Sequence, residues 1–219
     1  MNNASNSGPT CSAAEGRRRL LTAAFSGALG AGAGRRAWAA TSADESRSRH
    51  FPFGPVVPAR PLAAWSVKTD QGRSTDLPTL LRGRITALQL MFTGCSATCP
   101  IQGALFAQAQ RDLKSATGAA QFLSLSIDPL SDGPAELARW LRQFSARPGW
   151  SAVAPRIEDV DAIVAVLGSG GQPVPKATRD PHNGQVYLID RRGALVFRLP
   201  SMPTPADIVA TMTSLEQRA

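Results

Sequence analysis

Histidine, cysteine and tyrosine are scarce in this chain: two, three and one among 219 residues. No run of lysine and arginine is interleaved with aromatics, which excludes a nucleic-acid-binding surface of the usual kind. No internal repeat is visible, so a solenoid or propeller is excluded as well. The longest uncharged stretch near the N-terminus, between Arg19 and Arg35, has 15 residues. A bilayer span needs roughly 20, so a classical anchor is not expected there.

The same stretch reads as an export signal over residues 1–39. Arg17-Arg18-Arg19-Leu20-Leu21 supplies a basic start, a Gly/Ala-rich segment follows, and Ala37-Trp38-Ala39-Ala40 offers a small-residue cleavage site. Adjacent arginines before a weakly apolar segment resemble a twin-arginine signal. The expected product is exported and periplasmic, begins near Ala40, and touches a membrane only through partners or an uncleaved leader. The leader also explains much of the charge. Lys+Arg is 24 against 16 for Asp+Glu, but the first 39 residues hold five arginines and one acidic residue, leaving 19 against 15. Cys11 lies in the leader too, so the mature chain keeps one dithiol, Cys95 and Cys99.

That dithiol organises the rest. Ile85 to Phe92 is apolar and β-rich, while Ile101, Leu105, Ala109 and Leu113 recur at helical spacing. The two thiols therefore sit in a strand-to-helix turn, where the free N–H groups of a helix start stabilise a thiolate. On a continuous helix, residues four apart have Cβ atoms about 5–6 Å apart, whereas a disulfide needs roughly 3.5–4.5 Å. Cys95 is thus expected in the bend before the helix and Cys99 in its first turn, able to close a disulfide or hold one soft ion.

Around this turn the chain alternates. Residues 40–61 are polar and then Pro-rich, which predicts a linker without regular structure. Trp65 to Leu77 predicts a hairpin turning at Asp70-Gln71-Gly72. After the dithiol helix come a strand at Phe122 to Ile127 and a helix from Pro134, with Asp132 as its expected cap. A short strand at Trp150 to Val153, a helix over Ile157 to Leu167, the strands Gln185 to Ile189 and Ala194 to Leu199, and a helix opening at Thr204-Pro205 complete the order. A β-α-β unit, then an antiparallel hairpin and a closing helix, predict a thioredoxin-like α/β three-layer sandwich: a mixed central sheet with helices on both faces and an N-terminal hairpin, spanning residues 62–219.

In such a sheet the loop carrying His182 faces the dithiol loop. Cys95, Cys99 and His182 then form a set suited to copper, as Cu(I) or Cu(II): thiolates favour the first and imidazole accepts both. A closed zinc site normally has four protein ligands, so copper fits better. A loop histidine on its own would only bond a backbone carbonyl; the dithiol makes it a ligand candidate.

Several segments together resemble the SCO/SenC family of copper-delivery proteins. They are Asp70-Gln71-Gly72, Leu81-Arg82-Gly83-Arg84, Phe92-Thr93-Gly94-Cys95-Ser96-Ala97-Thr98-Cys99-Pro100, Ser126-Ile127-Asp128-Pro129, and His182 ahead of Tyr187-Leu188-Ile189-Asp190. The resemblance implies copper on Cys95, Cys99 and His182, and delivery to the binuclear copper centre of cytochrome c oxidase. Its implied partners are the copper-accepting subunit of a terminal oxidase and a thiol reductant. The other reading of the same pair is an exported thiol-disulfide oxidoreductase, with Cys95 attacking and Cys99 resolving. Such reductases typically use C-x-x-C with a cis-proline in the facing loop; here the spacing is one longer and that position is Gly184.

Overall fold

The computed structural model describes residues 53–113, 119–168 and 184–218. The leader and His182 lie outside the described residues. The strands are β1 (Gly54–Pro61), β2 (Ser66–Thr69), β3 (Ser74–Asp76), β4 (Ile85–Met91), β5 (Ala120–Ser126), β6 (Trp150–Pro155), β7 (Val186–Ile189) and β8 (Ala194–Arg198). The helices are α1 (Leu77–Leu81), α2 (Thr98–Asp112), α3 (Pro134–Gln143), α4 (Val160–Gly168) and α5 (Pro205–Gln217). Among the described residues no helix is long and apolar enough to cross a membrane.

All eight strands form one mixed sheet in the order β1-β8-β7-β4-β5-β6-β2-β3. β4, β5 and β6 run parallel, and β7 lies antiparallel to β4 on its other side. The thioredoxin-like architecture expected from the sequence is therefore present. β4 is buried along its whole length, as a strand covered on both faces must be. Its side chains alternate between two cores. Leu88 and Leu90 join Leu123, Leu125, Val153 and the α4 residues Ile163 and Leu167 on one face. Ile85 and Ala87 join Phe106 of α2, Phe122, and Ile208 and Met212 of α5 on the other. A third cluster, with Met91, Cys99, Leu137 and Trp140, sits where α2 and α3 meet the end of β4.

The expected hairpin is β2–β3, closed by Gly72 at φ 77°. The expectation for the Pro-rich segment is corrected: Gly54–Pro61 is not irregular but forms the edge strand β1, antiparallel to β8. Proline lacks an N–H, yet an edge strand pairs on one side only and tolerates it there. The ladder breaks its register between Pro55 and Arg60, the interval that holds Pro58. The helix expected from Ile157 opens with one 3₁₀ turn, Ile157–Asp159, before α4.

Candidate metal centre

The end of β4 delivers the chain to the site. Met91 is its last residue, fully buried, and a turn with Cys95 N–H donating to the Phe92 carbonyl (3.2 Å) leads into α2. Cys95 lies in that turn and Cys99 in the first turn of α2, the arrangement that the spacing requires. The cap residue of α2 is Ala97, which has no side-chain acceptor. An uncapped helix start leaves N–H groups unpaired, and the sulfur of Cys95 takes one of them: the Cys99 N–H donates to Cys95 Sγ at 3.4 Å. Thr98 Oγ1 lies 4.0 Å from the same sulfur.

The two thiols are unequal. Cys95 is half-buried and Cys99 is 3 % exposed, both unbridged. Partial burial pushes the Cys95 thiol up, but hydrogen bonds from the Cys99 thiol, from the backbone at Cys99 and Ala97 and from Thr98 together outweigh it, leaving Cys95 below the ordinary cysteine range. Cys99 goes the other way. Burial first, and then the Cys95 thiol beside it, push Cys99 up to about 12. An accessible thiol that ionises readily thus sits against a buried one that holds its proton.

One carboxyl group supports this turn, and the sequence reading assigned it elsewhere. Asp132 does not cap α3; the cap position is Gly133, without a side-chain bond. Instead Asp132, 1 % exposed, accepts from the Thr93 N–H (3.2 and 3.1 Å to its two oxygens), from Thr93 Oγ1 (2.5 Å) and from Ser126 Oγ (2.6 Å). It ties the residue two before Cys95 to the end of β5. Ser126 in turn accepts from the Asp128 N–H. A helix-start reading of Asp132 is local; burial between two strand ends is not visible to it. The hint in sequence is the hydroxyl at Ser126, six residues before Asp132 at the end of β5.

Gln102, buried and one turn beyond Cys99, donates Nε2 to the Gln185 carbonyl at 2.9 Å. This fastens α2 to the residue just before β7, three positions after His182. Among the described residues no group of three or more His, Cys, Asp and Glu converges. Cys95 and Cys99 are brought together, and His182, the third residue expected here, lies outside the described part. Two sulfur donors at an open turn suit a soft ion with room for further ligands.

A mixed sheet of this topology with a C-x₃-C pair at the turn into α2 defines a thioredoxin-like fold that carries a dithiol at its first strand-to-helix junction. The SCO1/SenC family model matches residues 62–217, and the chain belongs to that family. No curated protein matches the chain. Among solved structures, a SCO1/SenC family lipoprotein from Bacillus anthracis is 23 % identical, with a TM-score of 0.61, covering 74 % of this chain and 99 % of that one. Arabidopsis thaliana ScoI, solved with copper bound, is 16 % identical with a TM-score of 0.56, over 76 % of this chain and 99 % of that one. Yeast Sco1, also with copper bound, is 19 % identical with a TM-score of 0.56, over 76 % and 93 %. At these identities the likeness is one of fold.

Proposed function

We propose that this protein is an exported copper metallochaperone that holds one copper ion on Cys95, Cys99 and His182 and passes it to the copper-accepting subunit of a respiratory oxidase. The observation that carries the reading is the Cys95 sulfur at the uncapped start of α2, accepting the Cys99 N–H with the second thiol beside it. Copper-bound forms of Arabidopsis ScoI and yeast Sco1 support the same cargo, since those proteins share the fold and the family. Copper here is cargo. Cys95 supplies the accessible donor that meets the ion, Cys99 the buried one behind it, and Asp132 fixes the turn that carries Cys95 through Thr93. Each thiol gives up its proton on binding, and for Cys99 the thiolate is stabilised only once the cation is present.

The leader at residues 1–39 supports a periplasmic site of action, with a thiol reductant keeping the pair open. The inequality of the thiols favours a second reading, thiol-disulfide exchange on a partner, because an accessible, readily ionised Cys95 and a buried Cys99 match an attacking and a resolving thiol. A disulfide switch is identified in BsSco, a member of the Sco family of cytochrome c oxidase assembly proteins.

The test is copper loading of the reduced chain. About one equivalent is expected, with a thiolate-to-copper charge-transfer band when Cu(II) is added, and weaker binding in His182→Ala. If His182→Ala binds copper as tightly as the parent while the dithiol reduces a model disulfide rapidly, the exchange reading replaces the chaperone.

A further inference from the structure

At the end of the sheet away from the dithiol, the fold gathers positive charge that the sequence scatters. Arg82 and Arg84 precede β4, Arg191 and Arg192 lie in the turn between β7 and β8, and Arg218 closes α5. β7 is antiparallel to β4 with Ile189 opposite Thr86, so that turn stands at the start of β4. The Gly83 N–H donates to the Arg191 carbonyl there at 2.8 Å, joining the two arginine pairs. Arg191, Arg192 and Arg218 line one cleft together with the apolar Ile85, Val196 and Leu215. Arg73, Arg82 and Arg84 line a second, whose other walls are mostly serine and threonine.

Among the described residues no ion pair uses these arginines; the pairs formed are Arg139 with Glu136 and Arg156 with Glu158. The carboxylates nearby are engaged by other donors. Asp190 Oδ1 accepts from the N–H groups of Arg192 (3.0 Å) and Ala194 (2.9 Å), and Asp76 accepts from the N–H and hydroxyl of Thr79 (2.8 and 2.9 Å). Arg191 Nε is buried with no hydrogen-bond partner. A buried donor left so is costly, and an anion entering the cleft supplies the acceptor. Arg84 is held in place: its Nη1 donates to Gln121 Oε1 (3.2 Å), and buried Gln121 donates to the Leu80 carbonyl (3.0 Å) and to Thr86 Oγ1 (2.9 Å).

We propose that this arginine end docks on anionic phospholipid at a membrane surface, with the dithiol at the far end of the sheet. Every cation lining the two clefts is an arginine, and a guanidinium matches phosphate oxygens two at a time, which a lysine does not. The apolar residues beside Arg191, Arg192 and Arg218 suit the glycerol and first acyl carbons of a lipid, which a free phosphate lacks. Two adjoining clefts spread the charge over more than one headgroup. β4 has seven residues, so roughly 20 Å separates its start from the dithiol turn. The sequence reading gives the chain membrane contact only through partners or an uncleaved leader; the folded arginine end supplies a contact of its own.

Vesicle co-sedimentation tests this on the full chain and on the chain from Ala40, because the leader has arginines of its own. Vesicles of phosphatidylglycerol mixed with phosphatidylcholine should bind both forms, and phosphatidylcholine alone should not bind the shorter one. One arginine at an anionic surface contributes about fivefold in partitioning. Arg192→Gln combined with Arg218→Gln, both exposed, should therefore bind about 25-fold more weakly, with copper uptake as in the parent. Arg139→Gln combined with Arg156→Gln removes the same charge outside these clefts and should stay near the parent. Equal losses in the two double variants, no preference for phosphatidylglycerol, or release of the chain by inorganic phosphate at matched ionic strength overturns the membrane docking, the last in favour of a free-phosphate site. Retention on polyglutamate without binding to vesicles overturns it in favour of an acidic protein. None of these results touches copper uptake, so a failure here leaves the chaperone reading standing.

Discussion

Removing the Asp132 carboxyl tests whether the dithiol turn is held from beneath. In Asp132→Ala the Thr93 N–H loses both oxygens at 3.2 and 3.1 Å, and the hydroxyls of Thr93 and Ser126 lose acceptors at 2.5 and 2.6 Å. A stranded buried donor costs about 1–3 kcal/mol. The N–H cannot turn away and bears that cost in full, while each hydroxyl re-aims and loses less, so the expected destabilisation is about 2–5 kcal/mol. For a domain of this size that lowers the melting temperature by roughly 4–20 °C. Asp132→Asn keeps one acceptor oxygen and should fall between the variant and the parent. Thermal and urea unfolding give the stability. A double-mutant cycle with Thr93→Val isolates the pair, with a coupling of about 0.5–3 kcal/mol expected for groups in direct contact. The rate of Cys95 with an aromatic disulfide reagent gives the local effect, which should change in Asp132→Ala because Thr93 lies two residues before Cys95. A variant within about 1 kcal/mol of the parent, with zero coupling and an unchanged Cys95 rate, refutes the idea that this carboxyl positions the turn.

The two thiols should separate by pH. Cys95, held below the ordinary cysteine range, should alkylate near neutral pH, while Cys99, at about 12, stays protected; mass mapping after graded iodoacetamide treatment checks this. Linkage gives a second consequence. The folded state keeps the Cys99 proton while the unfolded chain releases it, so its contribution to stability is complete below the unfolded thiol value and falls as pH rises from there toward about 12; Cys99→Ala should flatten that loss in urea titrations. Gly103→Ala drives a methyl to 2.5 Å from the Phe144 ring; overpacking of about 1–3 kcal/mol should outweigh the helix-propensity gain, and chemical denaturation reads the difference. Arg198, 5 % exposed, donates to the Leu167 and Val166 carbonyls at the end of α4. Arg198→Met should cost about 1.5–3 kcal/mol and speed amide exchange in α4, and an exchange pattern unchanged in α4 refutes the tie.

How much of this was readable in advance depends on range. Cys95 and Cys99 could be placed in the bend and first turn because residues four apart on a helix are held too far apart for a disulfide, a constraint written into the spacing itself. Thr204-Pro205 likewise signals the start of α5, and both bonds of a capping box form there between Thr204 and Asp207. Asp132 satisfies the same local rule for α3 and breaks it, because Thr93 lies 39 residues away in the chain yet adjacent in space. Its carboxyl gains more from three donors in a buried position than from a helix end open to solvent. Pro58 misled in the opposite direction: proline argues against a central strand, and the sequence does not say that β1 is an edge with one side unpaired.

The same distinction separates the two sulfurs. Spacing makes Cys95 and Cys99 equivalent candidates, and only the packing of Met91, Leu137 and Trp140 around Cys99 makes one thiol buried and the other accessible. The lowered pKa of Cys95 has a separate source, the uncapped start of α2. With Ala97 at the cap position, no cap side chain receives the N–H groups of the first turn, and the Cys95 sulfur fills the place by accepting the Cys99 N–H. A serine or aspartate at 97 would compete for the same N–H groups and draw them from the sulfur. Ala97→Asp should therefore stabilise the helix start as an N-cap does, by about 0.5–2 kcal/mol, while raising the Cys95 pKa through lost hydrogen bonds and an added negative charge. Unfolding and the pH profile of Cys95 alkylation measure the two quantities in one variant. If both stay where the parent has them, the sulfur is not serving as the cap.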